Sequence, residues 1–392
     1  MKHAGLRLAI VVWAGALGVC ALASCSSDVP GAGDAGSADS AAPDSAPLEA
    51  AAPDVAVADA DRPDAAVNVA GLPPRPTAPT TSTSAGYYAI HTMFLGDTDR
   101  AGAPSQTAWK RYGYDLDSRV STDKSTDHCR LRPGAPNKVK TDGESGIDNS
   151  FGANILPIFT TALPDFPRDT NAALQTGTGT YILQAVGFDG TSDQSNTGLT
   201  GQLFETGRVS PAPRWDGSDL WPVLASSLVG GTLAGGANAK MSDAYVSGGM
   251  FVGVLPGTFN LSLAGVQGGI VLPIERPLIT FKKPSNGLDA TTGTIAGVMN
   301  TARFNSEFRR VAGQLSTVLC EGSTLDNITS QFTQASDIMS DGTNGDSSKE
   351  CDAISIAIGF TAKVVKEPSA VAPAPPPSPD PCVPARDAGG GG

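Results

Sequence analysis

The 392-residue sequence predicts a mainly β domain, an antiparallel β-sandwich or jelly-roll-like fold with a helical excursion before its last strand. Three observations lead there. Gly (46) and Pro (30) are abundant while charged residues make up only 17%, a composition suited to many turns joining short strands. Two segments, near the start and the end of the globular region, alternate cleanly with a period of two. Between them lies a series of short β-branched and aromatic runs punctuated by turn dipeptides.

The first alternating segment places Tyr88, Ile90, Thr92 and Phe94 on one side and Tyr87, Ala89, His91 and Met93 on the other. Short helices are expected over 151–161 and 169–174. Strands follow over 181–188, 201–206, 245–254, 258–264, 269–274 and 278–281, with Pro256-Gly257 and Gln267-Gly268 supplying turns. The strongest helical signal covers 294–319, where Ile295, Val298, Met299, Ala302, Phe308, Val311, Leu315 and Val318 recur at helical spacing. A second helix is expected over 323–339. The last strand carries Ile354, Ile356, Ile358, Phe360, Ala362 and Val364 on one face. Domain termini tend to lie close together, so the first and last strands are expected to be neighbours.

Lys2, His3 and Arg7 precede an apolar run over 8–19 that is too short to span a bilayer, the pattern of a signal peptide. The segment Leu22-Ala23-Ser24-Cys25 that follows resembles the lipobox of bacterial lipoproteins. That resemblance implies removal of residues 1–24 and a diacylglycerol on Cys25, with Ser26 after it favouring the outer membrane. Residues 25–84 are Ala, Asp, Pro, Ser and Gly with few large apolar side chains, so they read as a disordered tether. The globular domain is placed at 85–366 and a Pro/Gly-rich tail at 367–392. The net charge of −12 argues against nucleic acid as a partner and leaves the lipid as the route to the membrane.

After export, Cys129, Cys320, Cys351 and Cys382 meet an oxidising compartment. Cys320 with Cys351 is the expected disulfide, stapling the long helix to the last strand; Cys129 with Cys382 is its complement.

The stretch over 112–151 is dense in oxygen ligands. It holds Asp115 and Asp117, then Asp142-Gly143-Glu144-Ser145-Gly146-Ile147-Asp148-Asn149. Carboxylates two residues apart, glycines for tight turns and an Asn carbonyl suit calcium, so Asp115, Asp117, Asp142, Asp148 and Asn149 are its candidate ligands. The same residues also make ordinary Asx turns without metal. Similar acidic loops occur over 189–193 and 341–346. Trp215, Asp216 and Trp221 place two indoles beside a carboxylate, a weaker candidate for a glycan site. Motifs for nucleophilic, zinc-dependent or nucleotide-dependent catalysis are absent from the sequence.

The arrangement resembles lipoproteins of myxobacterial type, carried by the acidic tether, the DLD motif at Asp115-Leu116-Asp117, the DGxxGIDNxFG motif over 142–152 and a late Cys pair. The resemblance implies class and brings no activity. The leading expectation is a lipid-anchored cell-envelope module that binds a glycan or an envelope protein, or is structural, stabilised by calcium. The alternatives are a secreted glycosidase-like hydrolase using Asp148 with Glu144 or Asp216, and an envelope assembly factor.

Overall fold

The computed structural model describes residues 69–263, 269–283, 289–320, 323–373 and Cys382. The expected signal segment, Cys25, most of the expected tether and most of the expected tail lie outside these residues.

The chain forms a closed barrel. Its strands are β1 (Ala85–Phe94), β2 (Tyr181–Val186), β3 (Asn196–Glu205), a short outer β4 (Val223–Leu224), β5 (Ala239–Ser247), β6 (Met250–Val254), β7 (Thr258–Leu263), β8 (Ile270–Lys282), β9 (Ala290–Asn300), β10 (Ala353–Val364) and a short β11 (Val371–Ala372). Antiparallel pairing runs β6-β5-β3-β2-β1-β10-β9-β8, and β8 returns to β6, closing eight strands; β7 is an extra strand beside the first half of β8. The expected sandwich is therefore corrected to a barrel. Alternation reports which face of a strand is buried, and both folds satisfy it equally. Closure is decided by pairs remote in sequence, Tyr88 with Val364 and Val252 with Thr280. The register breaks in β1, β3, β8, β9 and β10 bend the strands around the axis.

The end strands β1 and β10 are neighbours, as their alternation and position suggested. Residues 290–300, partly assigned to the long helix, form β9 instead. Ile295 and Met299 face the core while Asn300 caps the following helix by accepting a hydrogen bond from the Arg303 N–H. The helical spacing through Ile295, Val298 and Met299 was coincidental; β-branched and Gly-rich sequence there fits a pleated surface. The helices are α1 (Leu156–Ala162), reached through a π-turn at Phe151–Ile155, then α2 (Phe166–Gln175), α3 (Thr301–Leu315) and α4 (Ser323–Gln334).

An eight-stranded barrel has an interior that side chains can fill. Here Ile354, Ile356, Ile358 and Phe360 of β10 meet Leu183, Leu199, Met241, Ile279 and Ile295 in one buried cluster. Gly293 faces Phe360 so closely that a Cβ would fall 2.4 Å from the ring, so a small residue accommodates a large one. At one end Phe281 packs on Tyr88, Phe188 and Phe251 with ring centroids 5.0 to 5.3 Å apart. At the other, where β1 leaves and β10 enters, α1, α3 and α4 bring Phe159, Phe308 and Phe332 together. Phe281→Ala should cost about 3–5 kcal/mol by urea unfolding, since the closed wall cannot collapse into the void. A loss below about 1 kcal/mol would mean that the lumen repacks freely.

The folded body extends past both expected boundaries. Val69 and Leu72 pack against Tyr245, Val252 and Leu278, while Thr80 N donates to the Thr197 carbonyl and Thr197 N to that of Ala78. β11 pairs with β4 in parallel, and Tyr87 Oη donates to Glu367 at 2.8 Å.

Candidate functional site

With the lumen filled, the chemistry lies outside it, on the belt of chain between β1 and α1. Tyr112 stacks on Phe94 against Ala296 and Ala357, and Tyr114 Oη lies 2.7 Å from Thr280 Oγ1, so the belt covers the outer wall of β1, β8, β9 and β10. Its acidic residues are thereby pressed inward.

Ligand oxygens of Asp115, Asp117 and Asp148 lie within 4.8 Å of one another. Each carboxylate uses one oxygen on a backbone N–H: Asp115 and Asp117 both accept from Arg119 N, at 2.9 and 2.8 Å, and Asp148 accepts from Leu116 N at 2.7 Å. Asp117 Oδ2 is buried and has no hydrogen-bond partner. Asp142 stands beside them, accepting from Ser121 N. None of the ion pairs among the described residues involves any of these four.

Burial without a counter-charge shows in the proton affinities. Desolvation, reinforced by neighbouring carboxylates, pushes Asp117 up to about 6 and Asp142 up to about 8. Asp148, 2% exposed, is raised well above the usual carboxylate range, first by desolvation and then by Asp117 and Asp142.

Two participants come from a distant segment. Asp337, desolvated and raised to about 7, accepts from Ser355 N and Oγ on β10 and adds to the field on Asp142 and Asp148. The Asn344 carboxamide stands beside Asp117 and lowers its proton affinity, accepts from Cys129 N at 2.8 Å and donates to the Asp337 carbonyl. Asn344 lies within the acidic loop singled out over 341–346; nothing in local spacing marked Asp337.

Asn149 is placed otherwise. Its Nδ2 donates to the carbonyls of Trp109, Tyr112 and Ala357, and its Oδ1 accepts from Gly152 N and Ala357 N. That carboxamide ties the belt to β10 and has no capacity left for a metal. The carboxylates of Asp189, Asp341 and Asp346 each accept from the N–H and hydroxyl two residues on, as solvated Asx turns.

Gly146 holds the loop between Asp142 and Asp148. It sits at φ +83°, and a Cβ there would lie 2.8 Å from the Arg119 carbonyl and 3.1 Å from Asp115 Oδ2. Gly146→Ala should cost about 1–3 kcal/mol by chemical denaturation, through left-handed strain and contact with the carboxylate. An unchanged midpoint would show that the loop shifts without penalty.

The disulfides are Cys129–Cys351 and Cys320–Cys382, which corrects the expected Cys320–Cys351 staple. Arg130 N donates to the Lys349 carbonyl and Cys351 N to that of Arg130, so the belt runs beside the approach to β10 and brings Cys129 to Cys351. Cys320, just past the short 3-10 turn Thr317–Leu319 that follows α3, is left for Cys382.

The tryptophans make no platform for sugar. Trp221 is 0% exposed in a cluster with Val223 and Val365. Trp215 donates to the Gln175 carbonyl and packs edge-on against His91 and tilted against Trp221, while Asp216 closes an exposed turn with Ser218. His91 is partly buried with Nδ1 3.0 Å from Thr92 Oγ1. For the hydrolase reading, Asp148 is buried from substrate and Glu144 is exposed in an ion pair with Arg111. No family model, curated protein or solved structure matches the chain.

Proposed function

We propose that the protein is a non-catalytic module of the cell envelope, carried by a lipid on Cys25 at the outer membrane, whose outer belt is set by a calcium ion. The observation that carries this reading is the Asp115, Asp117 and Asp148 cluster with its buried, unpartnered Asp117 Oδ2. Calcium takes six to eight oxygens from flexible carboxylates and carbonyls, and a convergent acidic group without a cationic side chain suits it. Among the described residues core side chains fill the barrel interior, which supports a structural or docking role.

Binding decides the matter. The full chain in detergent, freed of metal, is titrated with calcium and separately with magnesium by calorimetry at pH 7.5. Calcium should bind with one site per chain and at least tenfold more tightly than magnesium, and Asp117→Asn should weaken it by at least tenfold. Absence of binding at millimolar calcium, or equal binding by Asp117→Asn, sinks the proposal.

A further inference from the structure

The protein is acidic overall, yet residues 119–140 hold six Lys or Arg and only two Asp. This basic segment lines an open depression of about 330 Å³, with Thr126, His128, Arg130, Arg132, Asn137 and Ser347 around it. It lies on the strip held by the Cys129–Cys351 bridge.

The charges there do not cancel. Glu350 is the carboxylate that pairs with both Arg130 and Arg132, one negative charge against two positive. Behind them Lys140 is 8% exposed, and its ammonium donates to the Ser125 carbonyl and, at 2.9 Å, to His128 Nε2. His128 Nδ1 faces the Cys129 carbonyl, and its Nε2 also lies 3.0 Å from the Ser125 carbonyl. Neither partner of the Lys140 ammonium in these hydrogen bonds is a carboxylate. Arg132 Nε is buried without a partner. One carboxylate cannot occupy every N–H of two guanidinium groups, and an oxyanion is the group that satisfies the remaining donors best.

We propose that this depression is a binding site for a phosphate group. Arg132 and Arg130 supply charge-assisted donors to the lining. The Asn137 carboxamide and the Thr126 and Ser347 hydroxyls add neutral donors, a set that an anion with several acceptor oxygens uses more fully than a planar carboxylate. The volume is at the lower end for small-molecule sites and leaves room for a sugar attached to the phosphate. The proposal is independent of calcium, since no ligand of the acidic cluster lines the depression.

The test uses the full chain in detergent at constant ionic strength, with sodium chloride replaced by inorganic phosphate, glucose 6-phosphate or glucose. Phosphate should broaden its ³¹P resonance and raise the unfolding midpoint, with half-saturation below about 10 mM. Arg132→Gln should weaken this at least tenfold. Tighter binding of glucose 6-phosphate than of phosphate identifies a phosphorylated sugar as the ligand; equal binding identifies the free ion. Because Arg132→Gln also unpairs Glu350, Ser347→Ala and Asn137→Ala serve as milder variants, each expected to weaken binding two- to fivefold. Phosphate that neither broadens nor stabilises at 20 mM in the unmutated chain, or that acts equally on Arg132→Gln, overturns the proposal.

Discussion

Freed of divalent cations, the protein should become less stable as pH rises from about 4 to 8, losing roughly 10 °C of its unfolding midpoint between pH 5 and pH 8. The sign follows from the direction of the shifts. Asp117, Asp337 and Asp142 titrate at about 6, 7 and 8 in the folded chain, above the unfolded carboxylate value near 3.9. The folded state thus keeps protons that the unfolded state has already released. Stability from these groups is full below the unfolded value and lost as pH climbs through the folded ones. Buried Asp337 alone corresponds to roughly 4 kcal/mol, and the groups are too close for their contributions to add. Calcium should reverse the trend by replacing the protons with a divalent charge, so its stabilisation grows with pH and binding near pH 7 releases protons. Unfolding at pH 5, 6, 7 and 8, with and without calcium, reads both effects. A metal-free midpoint that rises steadily to pH 8 would mean that these carboxylates ionise without penalty.

The second large effect is expected at the bridge between the belt and β10. Replacing Cys129 and Cys351 together by Ser should cost about 5 kcal/mol in the chain-entropy account, because the bridge joins residues 222 apart. Replacing Cys320 and Cys382 should cost less, since that bridge fastens chain beyond the barrel wall. The first double variant should also weaken calcium about tenfold, because Cys129 N holds Asn344 beside Asp117. Urea unfolding and calcium titration measure the two consequences. A loss under about 1 kcal/mol would show that the Arg130–Lys349 and Cys351–Arg130 backbone hydrogen bonds suffice to hold the strip.

What was readable in the sequence was local. The alternation of Tyr88 to Phe94 and of Ile354 to Val364 needs only a strand with one buried face, so β1 and β10 announced themselves. Asp115 and Asp117 lie two residues apart, and Asp148 is returned to them by a glycine loop, so their convergence was also foreshadowed. Features resting on distant pairing were not readable. Nothing in β8 shows that it meets β6, which makes a barrel of what pattern alone left as a sandwich. The partner of Cys351 depends on where the belt crosses β10, and Asp337 joins the site only because Ser355 holds it there. Residues 290–300 failed for a different reason: Ile295 and Met299, four apart, fit either period, while Val298 turns to the other face of the strand against Ile338, so both faces of β9 are apolar and no alternation shows.

The pairing of the first strand with the last also orders events in time. β1 cannot find its partner until nearly the whole described chain has been released, so the cylinder stays open along that seam until β10 arrives. Such non-local closure is slow, on the order of milliseconds to seconds, and exposes two unpaired strand edges meanwhile. A chain cut short before β10 would keep those edges permanently, which makes premature termination a route to aggregation.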